Sequence, residues 1–383
     1  MREMRFSGRE LAGAVADVGV LVPIAVALIV KNGLSPTAVL LPAGLLYLVA
    51  AAVYRLPVPV QPLKALGAIA IAKGLGTDEI AAAALLLGCI FLTLGSTGLL
   101  DLAGRAFPRA LIRGVQLTVG LLFLKIAWGL VTDAPKAFKA HALSPGWALG
   151  LALGVVVASL ALRRYPVALV LVGIGIVVML VATGGHAQLG PSEIQMPSFD
   201  GSTLWTAFVV LAIPQLPLSF ANSCLATADA ARKYFGEEAA RRVRPGRLAT
   251  TLGSANLFAG AIGGMPVCHG AGGMTAHYAF GARTAGAPAA MGTALLVIAV
   301  AVGSGLAALL GAFPLPILAG LLATAGLLHI GLLADLRGAW NWTLALLVGV
   351  VGFEVNLAYA LALGLALWWI PRGLRVLRPA PVR

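Results

Sequence analysis

The chain has 383 residues, 60% of them hydrophobic and only 11% charged, with a mean hydropathy of +0.96. A soluble domain carries about 25% charged residues, so the composition excludes a soluble globular protein and describes one that crosses a membrane many times. The formal net charge of +13 would suit a nucleic-acid binder, but it is distributed as membrane topology and not as a basic patch, and no nucleic acid is expected. Cys89, Cys224 and Cys268 lie in apolar or motif segments without CxxC spacing. Neither a disulfide framework nor a metal site is expected, and no cofactor. The N-terminus is basic but lacks a small-residue cleavage site after a short apolar core, so the first span is expected to be retained.

About 20 apolar residues cross a bilayer as a helix. In chain order the candidate spans are 11–30, 37–53, 58–73, 80–100, 110–130, 147–162 and 167–182. A polar divider follows at 183–202, and then come 204–228, 248–263, 266–281, 289–310, 315–333, 342–353 and 357–370. The predicted fold is therefore all-α, with fourteen transmembrane segments, seven on each side of the divider.

Lys and Arg orient the chain. With the N-terminus inside, the cytoplasmic loops hold Arg55, then Arg105, Arg109 and Arg113, then Arg163 and Arg164. Beyond the divider they hold six Lys or Arg between 232 and 247, then Arg283 and Arg337, then the tail with Arg372, Arg375, Arg378 and Arg383. Only Lys31, Lys73, Lys136 and Lys139 fall outside. The expected location is the cytoplasmic membrane, with both termini cytoplasmic. An odd number of spans per half makes the halves inverted repeats: 1–182, then an extracytoplasmic linker at 183–202, then 203–371, with 372–383 as a cytoplasmic tail.

The third span of each half is interrupted. Pro57-Val-Pro-Val-Gln-Pro-Leu-Lys64 and Met265-Pro-Val-Cys-His-Gly-Ala-Gly-Gly273 are extended runs rich in Pro or Gly that open into short helix-compatible segments. Broken backbone at membrane depth is tolerated only where protein buries it or it lines a cavity, and matched breaks in two repeats mark the binding site of a secondary transporter. Pro62 suits the first turn of a helix, so one half-helix starts near Pro62 or Leu63. The other starts between His269 and Gly273, where Gly270, Gly272 and Gly273 allow close approach to a ligand. Two helix N-termini facing one hollow make an anion site.

Lys64 begins the first half-helix. It either snorkels to an interface or serves the site, in charge balance with Asp17; a Lys at bilayer depth costs roughly 2.5–3.5 kcal/mol and is a functional candidate by default. Asp17, in the first span, either bonds a neighbouring broken backbone or couples transport to an ion or proton. His269 is either a satisfied core histidine or a ligand or proton-transfer group. Gln61, Gln215, Ser219 and Asn222 offer neutral donors that suit an oxyanion or that tie helices together. Lys125 and Glu354 read as structural.

The segments PVPVQPLKA at 57–65, AIPQLPLSFANS at 212–223 and MPVCHGAGGMTAHYAFGART at 265–284 resemble the signature segments of the molybdate transporter type 1 family, and PRALIRGVQLTVGL at 108–121 resembles its fifth span. That family is a branch of the sulfate permease superfamily, whose fold the uracil permeases share. The resemblance covers nearly the whole chain. It implies a core of spans 1–4 and 8–11, a gate of spans 5–7 and 12–14, elevator-like movement of the core, and a homodimer. It places Gln61, Lys64, Gln215, Ser219, Cys268 and His269 at or near an oxyanion pocket. Many sulfate permeases carry a cytoplasmic C-terminal regulatory domain, whereas here Arg383 follows soon after the last span. In the uracil permeases the eighth span presents an acidic residue to the nucleobase, and neutral Gln215 at that register disfavours a nucleobase.

The resulting expectation is a symporter importing molybdate through the lipid bilayer. No GxxxxGK[ST] motif is present, so an ion or potential gradient would drive it, with proton coupling resting on Asp17 and His269. A sulfate transporter is the nearest alternative. An intramembrane enzyme would want clustered carboxylates that the spans lack, and a channel would show no saturation.

Overall fold

The computed structural model describes residues 4–100, 107–162, 165, 167–185 and 188–376. Arg105, Arg163, Arg164, Arg378 and Arg383, counted above among the inner charges, lie outside these residues. The chain is almost wholly helical. A short helix α1 (Gly8–Ala14) passes through a 3-10 turn at Val15–Asp17 into α2 (Val18–Val30). Helix α3 (Pro36–Tyr54) starts on Ser35, whose hydroxyl accepts the Ala38 N–H as an N-cap. The broken third segment becomes a two-residue strand β1 (Gln61–Pro62) followed by α4 (Lys64–Lys73). Then come α5 (Thr77–Thr97), α6 (Arg109–Thr132), α7 (Pro145–Ala161) and α8 (Val167–Ala182).

The second half opens with α9 (Gly201–Phe235) and α10 (Pro245–Ala261). The strand β2 (Val267–Cys268) and α11 (Ala271–Ala279) follow. Next are α12 (Gly286–Ala301), α13 (Gly303–Leu310), α14 (Leu315–Gly331), α15 (Ala339–Val351) and α16 (Leu357–Val376). Among the described residues six helical stretches are long and apolar enough to cross a membrane, Ala339–Pro371 (α15 with α16) being one of them, or eight if each of two bent pairs is one span; α7 and α8 are apolar but shorter.

Several expected boundaries change. The eleventh candidate span, 289–310, is not one helix: α12 stops at Ala301 and α13 leaves it at 92°. The bend is where the divider docks, with the Ser304 N–H donating to Gly190 O and its hydroxyl to Gln188 O. The eighth segment, although it carries Pro214 and Pro217, stays helical over Gly201–Phe235 and absorbs the prolines in π-helical turns at Ala207–Ala212 and Ser219–Ala226. The last helix runs to Val376, into the expected tail.

Helical hydrogen bonding continues from α15 through a π turn at Gly352–Asn356 into α16, so Ala339–Pro371 could be taken for one long helix. Packing says otherwise. A Cβ on Gly364 would lie 2.7 Å from Val348 Cγ2, whereas sixteen residues of straight helix span about 24 Å. The two helices fold back on each other.

Contacts sort the connections into two groups. On one side the Tyr54 hydroxyl reaches Arg247 O, the Arg283 N–H reaches Glu10, and Arg109 reaches Asp335. On the other, Ser35 meets Ser192, Asn32 reaches Leu75 O, and the Ser198 N–H reaches Asp78. Each group draws on the loops that the basic residues assign to one face.

Glycines set the tightest seams. Between α5 and α10, Gly95 faces Gly246 and Gly88 faces Leu257; between α3 and α12, Gly44 faces Gly292; between α6 and α14, Gly120 faces Gly326. A Cβ on Gly253 would press into the Leu92 backbone, 2.8 Å from its Cα and 2.9 Å from Gly88 O. Gly253→Ala is therefore expected to cost roughly 1–3 kcal/mol, read as a lower thermal unfolding midpoint in detergent. Gly150→Ala, whose Cβ would meet nothing within 4 Å, is expected to stay within about 0.5 kcal/mol; equal midpoints for the two would mean that the α5–α10 seam is loose.

Candidate functional site

The two breaks meet. β1 and β2 pair antiparallel, Gln61 opposite Cys268 and Pro62 opposite Val267, and the Leu63 N–H donates to Pro266 O at 3.1 Å. A strand pair this short leaves backbone groups unpaired on its outer edges, and at this depth water does not satisfy them. Asn256 of α10 does so for Val267: its Nδ2 donates to Val267 O (2.8 Å) and its Oδ1 accepts the Val267 N–H (2.9 Å). His269 closes the next gap. Its Nδ1 lies 2.9 Å from Pro59 O and its Nε2 3.1 Å from Thr251 Oγ1, while Tyr54 stacks edge-on at 5.6 Å. Donation from Nδ1 to the carbonyl fixes a neutral tautomer whose Nε2 accepts from the threonine. Both ring nitrogens are thus engaged in bracing the break, and the ring is fully buried behind the strand pair.

Each strand feeds a half-helix. The N-cap of α4 is Leu63, which has no side-chain acceptor. Gln215 of α9 supplies the cap from outside: its Oε1 accepts the Leu66 N–H (3.0 Å) and its Nε2 donates to Ser219 Oγ (3.0 Å). Gln215 and Ser219 therefore hold the first turn of α4 in place. At α11 the N-cap is Gly270, no side chain caps the helix, and the first-turn N–H groups of Ala271, Gly272 and Gly273 have no intrahelical acceptor. Gly270 and Gly273 are required by close approach. A Cβ on Gly270 would lie 2.7 Å from Gln61 Oε1, and one on Gly273 2.7 Å from Gln61 Nε2 and 2.5 Å from Asp17 Oδ1.

Charge is organised around Gln61. Lys64 Nζ donates to Gln61 Oε1 at 2.5 Å, and Gln61 Nε2 donates to Asp17 Oδ1. Asp17 Oδ2 accepts from the Tyr47 hydroxyl at 3.1 Å and lies 2.9 Å from His277 Nε2. Lys64 and Asp17 share one intermediary side chain, Gln61. Lys64 does not pair directly with Asp17, because the amide stands between them. Asp17 bonds side chains, with His277 Nε2 and the Tyr47 hydroxyl on one oxygen and Gln61 on the other. His277 and Tyr47 were not singled out in the sequence, although a second His in the last turn of α11 is an ionisable group at membrane depth and could have been.

A cavity of about 800 Å³ opens beside these groups. Asp17, Gln61, Lys64, Gln215, Asn222 and Cys268 lie on its wall together with Ala271, Gly272 and Gly273. Ser219, His269 and Gly270 stand behind that wall. The opposite wall comes from α6 and α14, with Arg113, Gln116, Thr324 and His329. Arg109 and Arg113 at the mouth share Asp335, and Arg113 also donates to Gln116 Oε1 at 2.7 Å. One carboxylate against two guanidinium groups leaves the mouth net positive. Lys125 lies apart from this cavity, its Nζ 5.5 Å over the Phe353 ring, beside a small hollow that Glu354 also lines.

The chain resembles proteins of two kinds. Molybdate transporter 1 of Arabidopsis thaliana is 29% identical over 358 residues, covering 83% of this chain and 78% of that protein. Molybdate transporter 1 of Chlamydomonas reinhardtii is 26% identical, covering 89% and 86%. Among solved structures, the transmembrane domain of the cyanobacterial bicarbonate transporter BicA superposes with a TM-score of 0.66 at 19% identity, over 94% of this chain and 98% of that one. Murine solute carrier 26 family member A9, an anion transporter in the inward-facing state, gives 0.66 at 14% identity, over 98% and 70%; at such identities the likeness is one of fold. The family profile described as the molybdate transporter of the MFS superfamily matches residues 9–123 and 207–328, which include both breaks and all the polar groups around Gln61. Matched over more than half of its length by that profile, the chain belongs to the molybdate transporter family, a family of transporters and not of enzymes.

Proposed function

We propose that the protein is a secondary active transporter that imports molybdate, a tetrahedral dianion, across the cytoplasmic membrane. The observation that carries this reading is the hollow between the first turns of α4 and α11, with Lys64 on its wall. A helix N-terminus stabilises an anion by roughly 0.3–1 kcal/mol when exposed and up to about 2 when partly buried, and the Lys64 ammonium adds a full positive charge. Lys64 and Asn222, with the free N–H groups of Ala271 to Gly273, would contact the oxyanion; Gln61, Gln215, Ser219, His269 and Gly270 would fix the geometry of those donors, and Cys268 lines the same wall. The names of the Arabidopsis and Chlamydomonas relatives favour molybdate over sulfate.

The transport cycle follows from where packing is tight. We read the chain as two inverted seven-span repeats, 1–182 and 203–371, regrouped into a core (α1–α5 with α9–α13) and a gate (α6–α8 with α14–α16). Close backbone approaches fall within each group: Gly95 with Gly246 and Gly44 with Gly292 in the core, Gly120 with Gly326 and Gly320 with Ala152 in the gate. Between the groups lies the cavity, crossed by side-chain contacts such as Gly19 against Ala168. Two internally rigid bodies with a looser seam suit an elevator in which the core carries both helix tips past the gate. In the topology set by the basic residues the cavity mouth at Arg109 and Arg113 is cytoplasmic, which makes this the inward-facing arrangement. The working unit in this reading is a homodimer.

A hydrogen bond to a charged group is worth roughly 1.5–3 kcal/mol, so Lys64→Ala is expected to weaken molybdate binding about 10- to 100-fold, measured by titration calorimetry with sulfate and tungstate as competitors. Unchanged affinity, or displacement of molybdate by equimolar sulfate, would overturn the assignment of the site or of the substrate. Gly273→Ala, which drives a methyl into Asp17 and Gln61, is expected to lower the thermal midpoint at a cost of roughly 1–3 kcal/mol. Gly272→Ala, with nothing within 4 Å of its Cβ, is expected to leave the midpoint unchanged or raised, because Ala is the better helix former.

A further inference from the structure

Asp17 poses a problem for any anion at these helix tips. Its carboxylate is 2% exposed and forms part of the cavity wall, pressed against the first turn of α11. A fixed negative charge there opposes an incoming dianion at short range, in surroundings that screen poorly. His277 answers that charge. The ring is fully buried, its Nε2 lies 2.9 Å from Asp17 Oδ2, and its Nδ1 has no hydrogen-bond partner. With Nε2–H donating to the carboxylate, Nδ1 is an open proton position. Without that proton the pair carries one negative charge; with it the pair is neutral, whether written as imidazolium and carboxylate or as imidazole and carboxylic acid.

Other ionisable groups surround the pair. Tyr47 of α3 donates its hydroxyl to Asp17, and Lys64 of α4 is bound to Gln61. His269 is closed by Pro59 and Thr251. Glu10 of α1 is buried too, but it accepts the Arg283 N–H and is not on the cavity wall. At the end of α9 that packs against α11, Asp229 pairs with Arg232 at the surface. From the gate, Arg113 and His329 face the same cavity, Arg113 being held by Asp335 and Gln116. Cys268 lies on the wall as a free thiol.

We propose that the Asp17–His277 pair is a proton-binding site linked to the oxyanion site, taking up one proton as the dianion seats and releasing it as the dianion leaves. This rests on the oxyanion reading above and adds the co-transported ion and the residues that hold it. The proton comes from water in the cavity that Asp17 lines and returns to water on the release side; no other bond changes. Linkage is reciprocal, so a proton that favours the dianion is itself favoured by it. The sign follows: affinity is highest at low pH, where the pair is protonated. It then falls by about tenfold per pH unit, the slope of one linked proton, as pH rises through the range in which the pair loses that proton, and levels at a weaker value above it.

The test is molybdate titration calorimetry on the purified full chain across the pH range in which it stays folded, in buffers of different ionisation enthalpy so that protons taken up per molybdate are counted. Wild type is expected to take up close to one proton. His277→Gln, which keeps an amide donor toward Asp17 but cannot bind a proton, should bind with the weak, pH-independent affinity of the deprotonated pair. Asp17→Asn, which removes the charge, should bind with the tight affinity of the protonated pair, also without pH dependence. Opposite flat limits from two neighbouring residues are not the signature of a merely damaged fold, and unfolding midpoints within a few degrees of wild type keep the comparison valid. Wild-type binding with no proton uptake, or His277→Gln retaining full uptake, overturns the proton site and leaves the oxyanion site standing. No molybdate binding by wild type overturns both.

Discussion

A peptide backbone that stops being helical inside a membrane has to find its hydrogen bonds within the protein, and the structure depends on how this chain meets that demand twice in one place. Each break is the partner of the other. Gln61–Pro62 lies against Val267–Cys268, and neighbouring side chains satisfy backbone groups around the breaks: Asn256 of α10 both groups of Val267, His269 of the second break the Pro59 O, and Gln215 of α9 the Leu66 N–H of α4. Those helices must come close for short side chains to reach. Gly253 and Gly260 let α10 lie tight on α5, and from α10 Asn256 serves Val267 as a third strand would.

The two half-helix tips that result both begin beside the cavity but differ in chemistry. The first turn of α4 loses one donor to Gln215 and gains the Lys64 ammonium, while the first turn of α11 keeps its donors but stands against the Asp17 carboxylate. One pole is reinforced and the other opposed. In the reading proposed above, attraction at one tip depends on the charge state of a buried acid at the other, a dependence that a symmetric pair of positive tips would lack. That asymmetry comes from the sequence, since the second break has Gly270 to Gly273 where the first has a proline and a lysine.

Much of this was legible before any coordinates. Pro57, Pro59 and Pro62 forbid a continuous third helix, and the Gly-rich run after His269 forbids a continuous tenth, so both half-helices were located to within a few residues of their observed starts at Lys64 and Ala271. Hydropathy found where the helices lie but not how they bend. The right-angled corner at Val302 has a local signal, Gly303-Ser304-Gly305, that hydropathy does not weigh, and residues 188–190 from elsewhere in the chain dock onto it. The prolines of the eighth segment suggested interruption, and π turns absorbed them. Partner choice was the least visible. From sequence Lys64 could be set in charge balance with Asp17, and His269 stood open between a satisfied core histidine and a ligand or proton-transfer group. Only the tertiary fold brings His277, eight residues further along, to the carboxylate, and that proximity spans 260 positions of sequence.

Gln61 shows why the neutral residue matters more than the charges it joins. Its amide orientation is fixed by chemistry alone: the oxygen must face the Lys64 ammonium and the nitrogen the Asp17 carboxylate. Had Lys64 and Asp17 met directly, they would have formed a buried ion pair, and breaking such a pair by removing one partner costs about 3–5 kcal/mol. A dianion would then have to compete with an internal carboxylate for its own cation. With an amide between them, both charges keep a hydrogen bond, neither is neutralised, and the lysine retains two of its three N–H donors for a ligand. The same amide contacts the positions where Gly270 and Gly273 leave no room for a side chain, so the breaks in the first, third and tenth segments converge on a single uncharged side chain. Its neutrality is what allows a cation, an acid and a helix pole to share one wall of a cavity without cancelling.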